Sequence, residues 1–451
     1  ELYDEYRNSF REKSMFYKTY NLQGVGDKDL SKVVLETALK LVTEGGTISM
    51  VVPSQILSSV GSKDIRKELL EKNIRQLYVF ENKKNIFPIH ASYRFLLLTL
   101  KNEKGTDKFP AGFYLHRLES LENQDIEKEK FGTLSKKNIL KMSPTCAIPE
   151  ILGESLKILL KLASKNPLGG GGLEDGTQVL LSRGFDVSND ADIFTKNGSG
   201  WPVHEGKTIH QYNHSWDLPE YTINSRKGLK RESTKKVYAE SLVEFFDSYR
   251  LVFRDVTGPK NMRTVIATII PPQTFHTYSL RSVVLKKNGM NTIDATYIIN
   301  ILYLCGIMNS LTFDYTARAN IQMHLSTIIN SLPIPHTTPH KNEISTLVAK
   351  MLVGTPEFAG LAERTHIENH PLTVKERIET MAKIDALVAI SYDLKVEEYR
   401  TIIDSFPAFK KNPNFKYGDE INWNNLNLKE FYGEMAESAM KFFVEITESK
   451  K

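Results

Sequence analysis

Apolar side chains at Leu30, Val33, Val34, Ala38, Leu41 and Val42 recur at helical spacing, and Gly45-Gly46 supplies the backbone freedom that a helix C-terminus needs. Residues 47–52 then form a continuous β-rich run closed by Pro53, which predicts a parallel strand buried on both faces. A helix over 65–70, a strand over 74–80 and a long apolar strand over 93–100 follow. The order helix, strand, helix, strand, strand is that of a doubly wound α/β sheet finishing in a hairpin.

Downstream the periodicity changes. Charged stretches fill residues 101–180 around one helix near 151–163, and a glycine run at 169–172 interrupts the chain. That run lacks a following Lys-Ser/Thr and a strand-to-helix setting, so it predicts a flexible joint rather than a phosphate loop. From 180 to 335 strands, turns and aromatics prevail, centred on residues 249–276. There two apolar runs, 251–253 and 265–270, flank a turn made of Gly258, Pro259 and Asn261, giving a hairpin or two neighbouring strands. Pro271-Pro272 stops the second run, because proline cannot donate to a ladder. From 341 helical spacing returns and ends in the stripe Leu428, Phe431, Met435, Phe442, Phe443 and Ile446, which core packing explains. The expected class is α/β plus α+β: the C-terminal end of a doubly wound sheet over 1–110, a connecting region over 111–179, a strand-rich domain over 180–340 and a helical segment over 341–451.

Composition narrows the classes. A chain of 451 residues is too long for one core and predicts two or three domains. With 25% charged and 41% apolar residues it reads as globular, without the ~18 consecutive apolar residues of a membrane span and without a signal peptide at its start. Cys146 and Cys305 are the only cysteines, so neither a disulfide framework nor a cysteine zinc site is available, and the cytosol is the expected compartment. The net charge of +5 permits a polyanion partner without requiring one. Arg226, Lys227, Lys230, Arg231, Lys235 and Lys236 cluster in a segment rich in Ser, Thr and Gly that reads as a loop. Such a run is commonly a solvated surface, but its neighbours Trp201, Tyr212, Trp216, Tyr221, Tyr249 and Phe253 make nucleic acid a competing explanation. Glu81-Asn-Lys83 fits a nuclease-like Glu-x-Lys tripeptide, a pattern expected by chance. The chain starts at Glu1 in mid-pattern, as a piece of something longer would.

Seven segments occur in order: Gly45-Gly-Thr-Ile-Ser-Met-Val-Val-Pro53, Asn85-Ile-Phe-Pro88, Glu205-Gly-Lys-Thr-Ile-His-Gln-Tyr212, the stretch from Tyr249 to Pro272, Met308-Asn-Ser-Leu-Thr-Phe-Asp-Tyr315, Leu332-Pro-Ile-Pro335 and Ile384-Asp-Ala-Leu-Val388. Together they resemble the C-terminal part of adenine-specific DNA methyltransferases of bacterial restriction-modification and phage-defence systems, the Eco57I-like, type IIG-like group. The resemblance implies transfer of a methyl group from S-adenosylmethionine to the exocyclic amine of a flipped adenine in double-stranded DNA. The family's glycine-rich cofactor loop and its Asn/Asp-Pro-Pro-Tyr/Phe motif are not among the 451 residues. The chain is therefore expected to begin just downstream of the second motif, to be inactive alone, and to need an N-terminal catalytic half or a partner subunit. The alternative is a non-catalytic DNA-binding specificity module acting with a separate methyltransferase or nuclease.

Carried onto this sequence, the resemblance makes Phe87 the aromatic that stacks on the extruded base, a contact needed because a flipped base has lost its neighbours. Its bland alternative is a turn phenylalanine packed on the sheet end. Pro53 and Ser54 lie where open α/β sheets place ligands and are expected at the adenine pocket edge, or merely end the strand. Residues 180–340 become a target recognition domain, with Lys207, Lys230, Arg231, Lys235, Lys236, Arg254, Asn261, Arg263 and Arg318 as its DNA-binding side chains. The basic segment is expected to follow phosphates, while Arg254 and Arg263, flanking a turn between strands, are expected to read bases. Pairing of Glu205 with Lys207 and of Asp255 with Arg254 is the structural alternative. His210 is expected to be a hydrogen-bonded structural histidine, and no metal is expected.

Overall fold

The computed structural model describes residues 9, 15–24, 29–143, 145–169, 173, 176–238, 241–258, 261–287, 290–291, 293, 295–320, 324–406, 408–410 and 426–449. The chain divides into two compact units, Glu1–Lys161 and Leu162–Lys451.

In the first unit helix α1, Leu30–Leu41, starts where the Asp29 carboxylate accepts the Ser31 amide at 2.8 Å. Strand β1, Thr47–Pro53, helix α2, Lys63–Glu71, and strands β2, Lys72–Glu81, and β3, Arg94–Lys104, follow as the periodicity predicts. Two more strands, β4, Lys108–Leu115, and β5, Phe131–Ser135, lead into helix α3, Lys136–Met142. One sheet results, in the order β1-β3-β2-β4-β5. Residues 111–135, expected in the connecting region, thus extend this sheet.

One expectation needs correcting. β1 pairs antiparallel with β3, from Thr47 opposite Lys101 to Pro53 opposite Phe95, and is not a parallel strand buried on both faces. Its burial alternates, with Ile48 and Val52 inside and Val51 51% exposed, because it lies at the edge of the described sheet and only one face meets the helices. The expected hairpin is present, β2 and β3 being antiparallel with Phe80 opposite Phe95 and Glu81 opposite Arg94. This register brings Pro53, the end of β2 and the start of β3 to one end of the sheet. β4 runs parallel to β2, and Leu115 opposite Phe80 places its last residue there too.

The second unit opens with the end of helix α4, Gly153–Leu162. Strands β6, Gln178–Arg183, β7, Phe194–Lys196, β8, Trp201–His204, and β9, Tyr221–Ile223, precede two short helices, α5, Ser225–Glu232, and α6, Leu242–Phe246. Then come β10, Arg250–Arg254, β11, Ala267–Ile270, β12, Phe275–His276, β13, Leu280–Lys287, and β14, Met290–Asn291. They form a sheet β11-β10-β13-β14, with β6 also on β13, and a second sheet β12-β8-β9-β7. β10 and β11 pair antiparallel from Arg250 opposite Ile270 to Phe253 opposite Ala267, the neighbouring strands expected around residues 249–276. Of the glycine run, Gly169 is bonded to the Asn330 carbonyl at 2.9 Å, and 170–172 lie outside the described residues.

The remainder is helical, as the returning periodicity predicts. Helices α7, Ala295–Asn309, and α8, Leu311–Asn320, are followed by α9, Lys341–Leu352, α10, Ala359–Thr365, α11, Val374–Ser391, α12, Val396–Asp404, and α13, Leu428–Glu448. α11 packs on α13, whose Phe431, Met435 and Phe443 are buried. A reciprocal cap between Thr373 and Glu376 starts α11. No single helix among the described residues is long and apolar enough to cross a membrane.

Candidate nucleic-acid interface

At the shared end of the first sheet, Asn82 organises a turn. Fully buried, it donates from its side chain to the carbonyls of Phe87, at 2.9 Å, and Ile89, at 2.8 Å, and accepts the Phe87 amide at 2.9 Å. Asn85 takes a left-handed conformation at φ 52°, which asparagine tolerates better than most residues. The Phe87 ring is held edge-on to Phe95 at 4.8 Å, and Phe95 stacks on Phe80 at 5.4 Å. Phe87 is nevertheless 38% exposed. It is packed on the sheet end, as its bland alternative has it, with part of the ring open to solvent. Pro53 stands opposite Phe95 and is exposed, whereas Ser54 is 3% exposed beneath it.

Beside this turn a polar network closes the ends of β2 and β4. His116 bonds Glu81 through Nε2 at 2.8 Å, and Lys83 reaches the same carboxylate at 2.5 Å. Glu81 is thus engaged by His116 and Lys83. Glu127 accepts from Lys130 at 2.5 Å, the Ser120 hydroxyl at 2.7 Å and the amides of His116 and Arg117 at 3.2 and 3.3 Å. Burial works to raise its carboxyl, but Lys130, Ser120 and the His116 amide outweigh it and bring the pKa down to about 2.

In the second unit the structure brings Arg254, Asn261, Arg263 and Arg318 together with His210. It also commits their polar groups. Arg263 is buried, bonded to Asp314 at 2.8 Å and to the Asn309 carbonyl at 2.6 Å. Arg318 donates to the other Asp314 oxygen at 3.1 Å and to the carbonyls of Asn261 and Met262, both at 2.6 Å, over the Phe406 ring. The expectation that Arg263 reads a base is corrected by this placement: with a side chain 1% exposed, its guanidinium faces a carboxylate of its own unit. Arg254 donates to the Ile209 carbonyl. Its expected alternative partner also changes, since Asp255 pairs with Arg281 at 2.8 Å and the Ser326 amide at 2.8 Å. His210 stacks on Trp216 at 4.3 Å, and burial, then Arg254, Arg263 and Arg377, bring its pKa to about 3. Among the described residues no group of three or more His, Cys, Asp or Glu side chains is placed to hold a metal.

Elsewhere in this unit Lys207 pairs with Glu220 at 2.6 Å and with Glu205 at 3.5 Å, the second being its expected structural partner. The basic segment corrects another expectation, because residues 225–232 form a helix and not a loop. The Asn224 side chain caps it at the Lys227 amide, and Gly228 sits so close to Phe275 that an added Cβ would lie 2.4 Å from the ring. Lysine and arginine are good helix formers, so charge alone never implied a loop. Arg231 pairs with Asp190 and Asp192, and Lys235 with Glu232, while Lys236 is exposed. Arg226, Lys227 and Lys230 are exposed without a side-chain ion pair among the described residues. Their fixed spacing was missed in the sequence because the cap and the glycine contact are tertiary facts.

Residues 3–87 match the model of the Eco57I restriction-modification methylase family, which bears out the resemblance over that segment. No curated protein sequence matches the chain. Among solved structures it is similar to the type IIL restriction-modification enzyme MmeI, solved in complex with DNA, at 10% identity and a TM-score of 0.46, covering 87% of this chain and 54% of that one. It is also similar to the type IIG restriction endonuclease BpuSI, at 13% identity and a TM-score of 0.31, covering 97% and 52%. The chain therefore spans about half the length of these two, and no residue here takes a role from them. At the shared sheet end Ser54 is buried and the Glu81 carboxylate is engaged by His116 and Lys83.

Proposed function

We propose that this chain is the DNA-recognising part of a site-specific, adenine-specific methyltransferase of a type IIG-like restriction-modification or phage-defence system, working in the cytoplasm. The observation that carries it is the methylase-family match over residues 3–87, which ends on Phe87, a ring held out of the sheet end by the buried Asn82. In this reading the first sheet, through residue 135, belongs to the catalytic domain, the residues from there to 179 connect, 180–340 recognise the target and 341–451 support it. Phe87 stacks on the extruded adenine, with exposed Pro53 at the pocket edge. Arg226, Lys227 and Lys230 on α5 follow the phosphate backbone of the duplex, joined by Lys236, and half-buried Arg254 is the arginine offered to a base edge. S-adenosylmethionine supplies the methyl group in the complete enzyme, and an N-terminal catalytic half or a partner subunit provides the motifs that these 451 residues lack.

The test is duplex binding across a salt series, read by fluorescence anisotropy on mixed-sequence DNA. An affinity that falls linearly on a log–log plot, by about 0.9 in slope per phosphate contact, is expected. Absence of salt-dependent duplex affinity overturns the reading. The chain alone is expected to transfer no label from radiolabelled S-adenosylmethionine to DNA, and incorporation above background refutes the assignment of the cofactor site to the complete enzyme.

A further inference from the structure

Next to the Phe87 turn the surface of the first unit is hollowed into a groove of about 590 Å³ lined by Lys84, Ile86, His116, Arg117, Leu118, Glu119 and Ile126. Two features separate it from an ordinary surface dent. Lys84 and Arg117 are exposed cations, and neither side chain makes an ion pair or hydrogen bond among the described residues, although most charges around them do. The backbone that carries them is also fixed. Lys84 belongs to the turn closed by Asn82, and the Arg117 amide is bonded by the buried Glu127 carboxylate. His116 is not a third donor to a ligand: Lys130 lies 3.3 Å from its Nδ1, so that nitrogen accepts and Nε2 donates to Glu81. It acts as a wall.

The apolar lining points to the kind of anion. Leu118 is 50% exposed and Ile126 39% exposed, and Ile86 joins the groove directly to Phe87, itself 38% exposed. A chain that alternates phosphate with flat apolar surface suits such a lining, whereas a free inorganic anion has no use for it. Glu119 opposes a phosphate, so any path through the groove runs on the side of Lys84 and Arg117.

We infer that this groove binds the DNA strand on one side of the extruded nucleotide, with Lys84 and Arg117 each neutralising a backbone phosphate. This rests on the function proposed above and adds a second phosphate site, on the first unit. The strand is then held beside the stacking ring itself.

The experiment uses the full chain and a fluorescein-labelled mixed-sequence duplex carrying one unpaired adenine, titrated over a salt series. Lys84→Ala/Arg117→Ala is expected to reduce the salt slope by up to about 1.8, two contacts at about 0.9 each, with an unchanged melting temperature. Lys84→Arg/Arg117→Lys is expected to keep the slope. Glu119→Gln is expected to tighten binding a few-fold, because it removes the one carboxylate in the groove. If wild-type chain binds and the double alanine variant keeps its slope, the groove assignment falls while the proposed function stands. If wild-type chain does not bind, both fall. Inorganic phosphate and a polyglutamate peptide are run as competitors. Displacement of the duplex by millimolar phosphate, or by the peptide as well as by unlabelled DNA, overturns the assignment to a nucleic-acid strand.

Discussion

Replacing Asp314 by asparagine separates a structural from a DNA-reading role for Arg263. The carboxylate is fully buried and accepts from Arg263 at 2.8 Å, Arg318 at 3.1 Å, the Thr264 amide at 3.0 Å and the Val265 amide at 3.5 Å. Burial by itself would lower the Arg263 pKa, but Asp314 outweighs it and the pKa is raised, so the charged pair is the resting state. Asparagine keeps one acceptor, puts an N–H₂ where the other oxygen was, and removes the charge that Arg263 and Arg318 both bond. Breaking a buried pair by removing one partner costs about 3–5 kcal/mol. A unit the size of residues 162–451 melts about 2 °C lower for each kcal/mol lost. Calorimetry on the full chain is therefore expected to show its transition falling by roughly 6–10 °C. Arg263→Gln should cost a comparable amount, and the double variant less than the sum, because the two changes remove one interaction. If Asp314→Asn melts within about 2 °C of wild type and instead blurs discrimination at one base position, Arg263 spends its time in DNA and the structural assignment is wrong.

Three further outcomes are expected. Phe87→Ala should weaken binding to a duplex with an extrahelical 2-aminopurine by roughly 1–3 kcal/mol, the value of one base–aromatic stack, with little change in melting. A large melting loss with unchanged 2-aminopurine fluorescence would favour pure packing on Phe95. Changing Arg226, Lys227 and Lys230 together to alanine should weaken all duplexes alike and reduce the salt slope by up to about 2.7, whereas sequence-selective loss would make α5 a reader rather than an anchor. For Glu127 the folded pKa of about 2 lies below the unfolded value of 4.5, so its stabilisation is fully present above pH 4.5 and is lost as pH falls through about 2. Urea midpoints of Glu127→Gln should lie below wild type at pH 6 and converge with it near pH 2, and parallel curves would refute the linkage.

Periodicity located α1, α2, β2 and β3 within a few residues, because each buries one regular face that the sequence writes out. It misassigned β1, since a run of β-branched residues is compatible with two covered faces or with one, and only the neighbours decide. The basic segment failed differently. Ser, Thr and Gly around Lys and Arg suggested a loop, yet Gly228 is there for its contact with Phe275, a reason invisible before the tertiary structure.

The polar residues of the recognised segments carry the same lesson into the site. Asn309 and Asp314 lie in the stretch from Met308 to Tyr315, whose resemblance pointed toward DNA. In the structure Asn309 pairs both its amide groups with the backbone of Ala267, at 3.0 and 2.9 Å, and Asp314 holds Arg263 and Arg318. These side chains fix the turn after β10 against α7 and α8, so a motif can mark a recognition domain by the bonds that shape it rather than by those that touch the ligand. Five exposed cations that make no side-chain ion pair among the described residues, Lys84 and Arg117 in the first unit and Arg226, Lys227 and Lys230 in the second, fall outside every recognised segment. Long exposed side chains gain little from any one surface pair. What sets these apart is the held backbone beneath them, at Asn82 and Glu127 in one unit and at the Asn224 cap in the other, which spends structural bonds on positioning charges that the folded chain does not use.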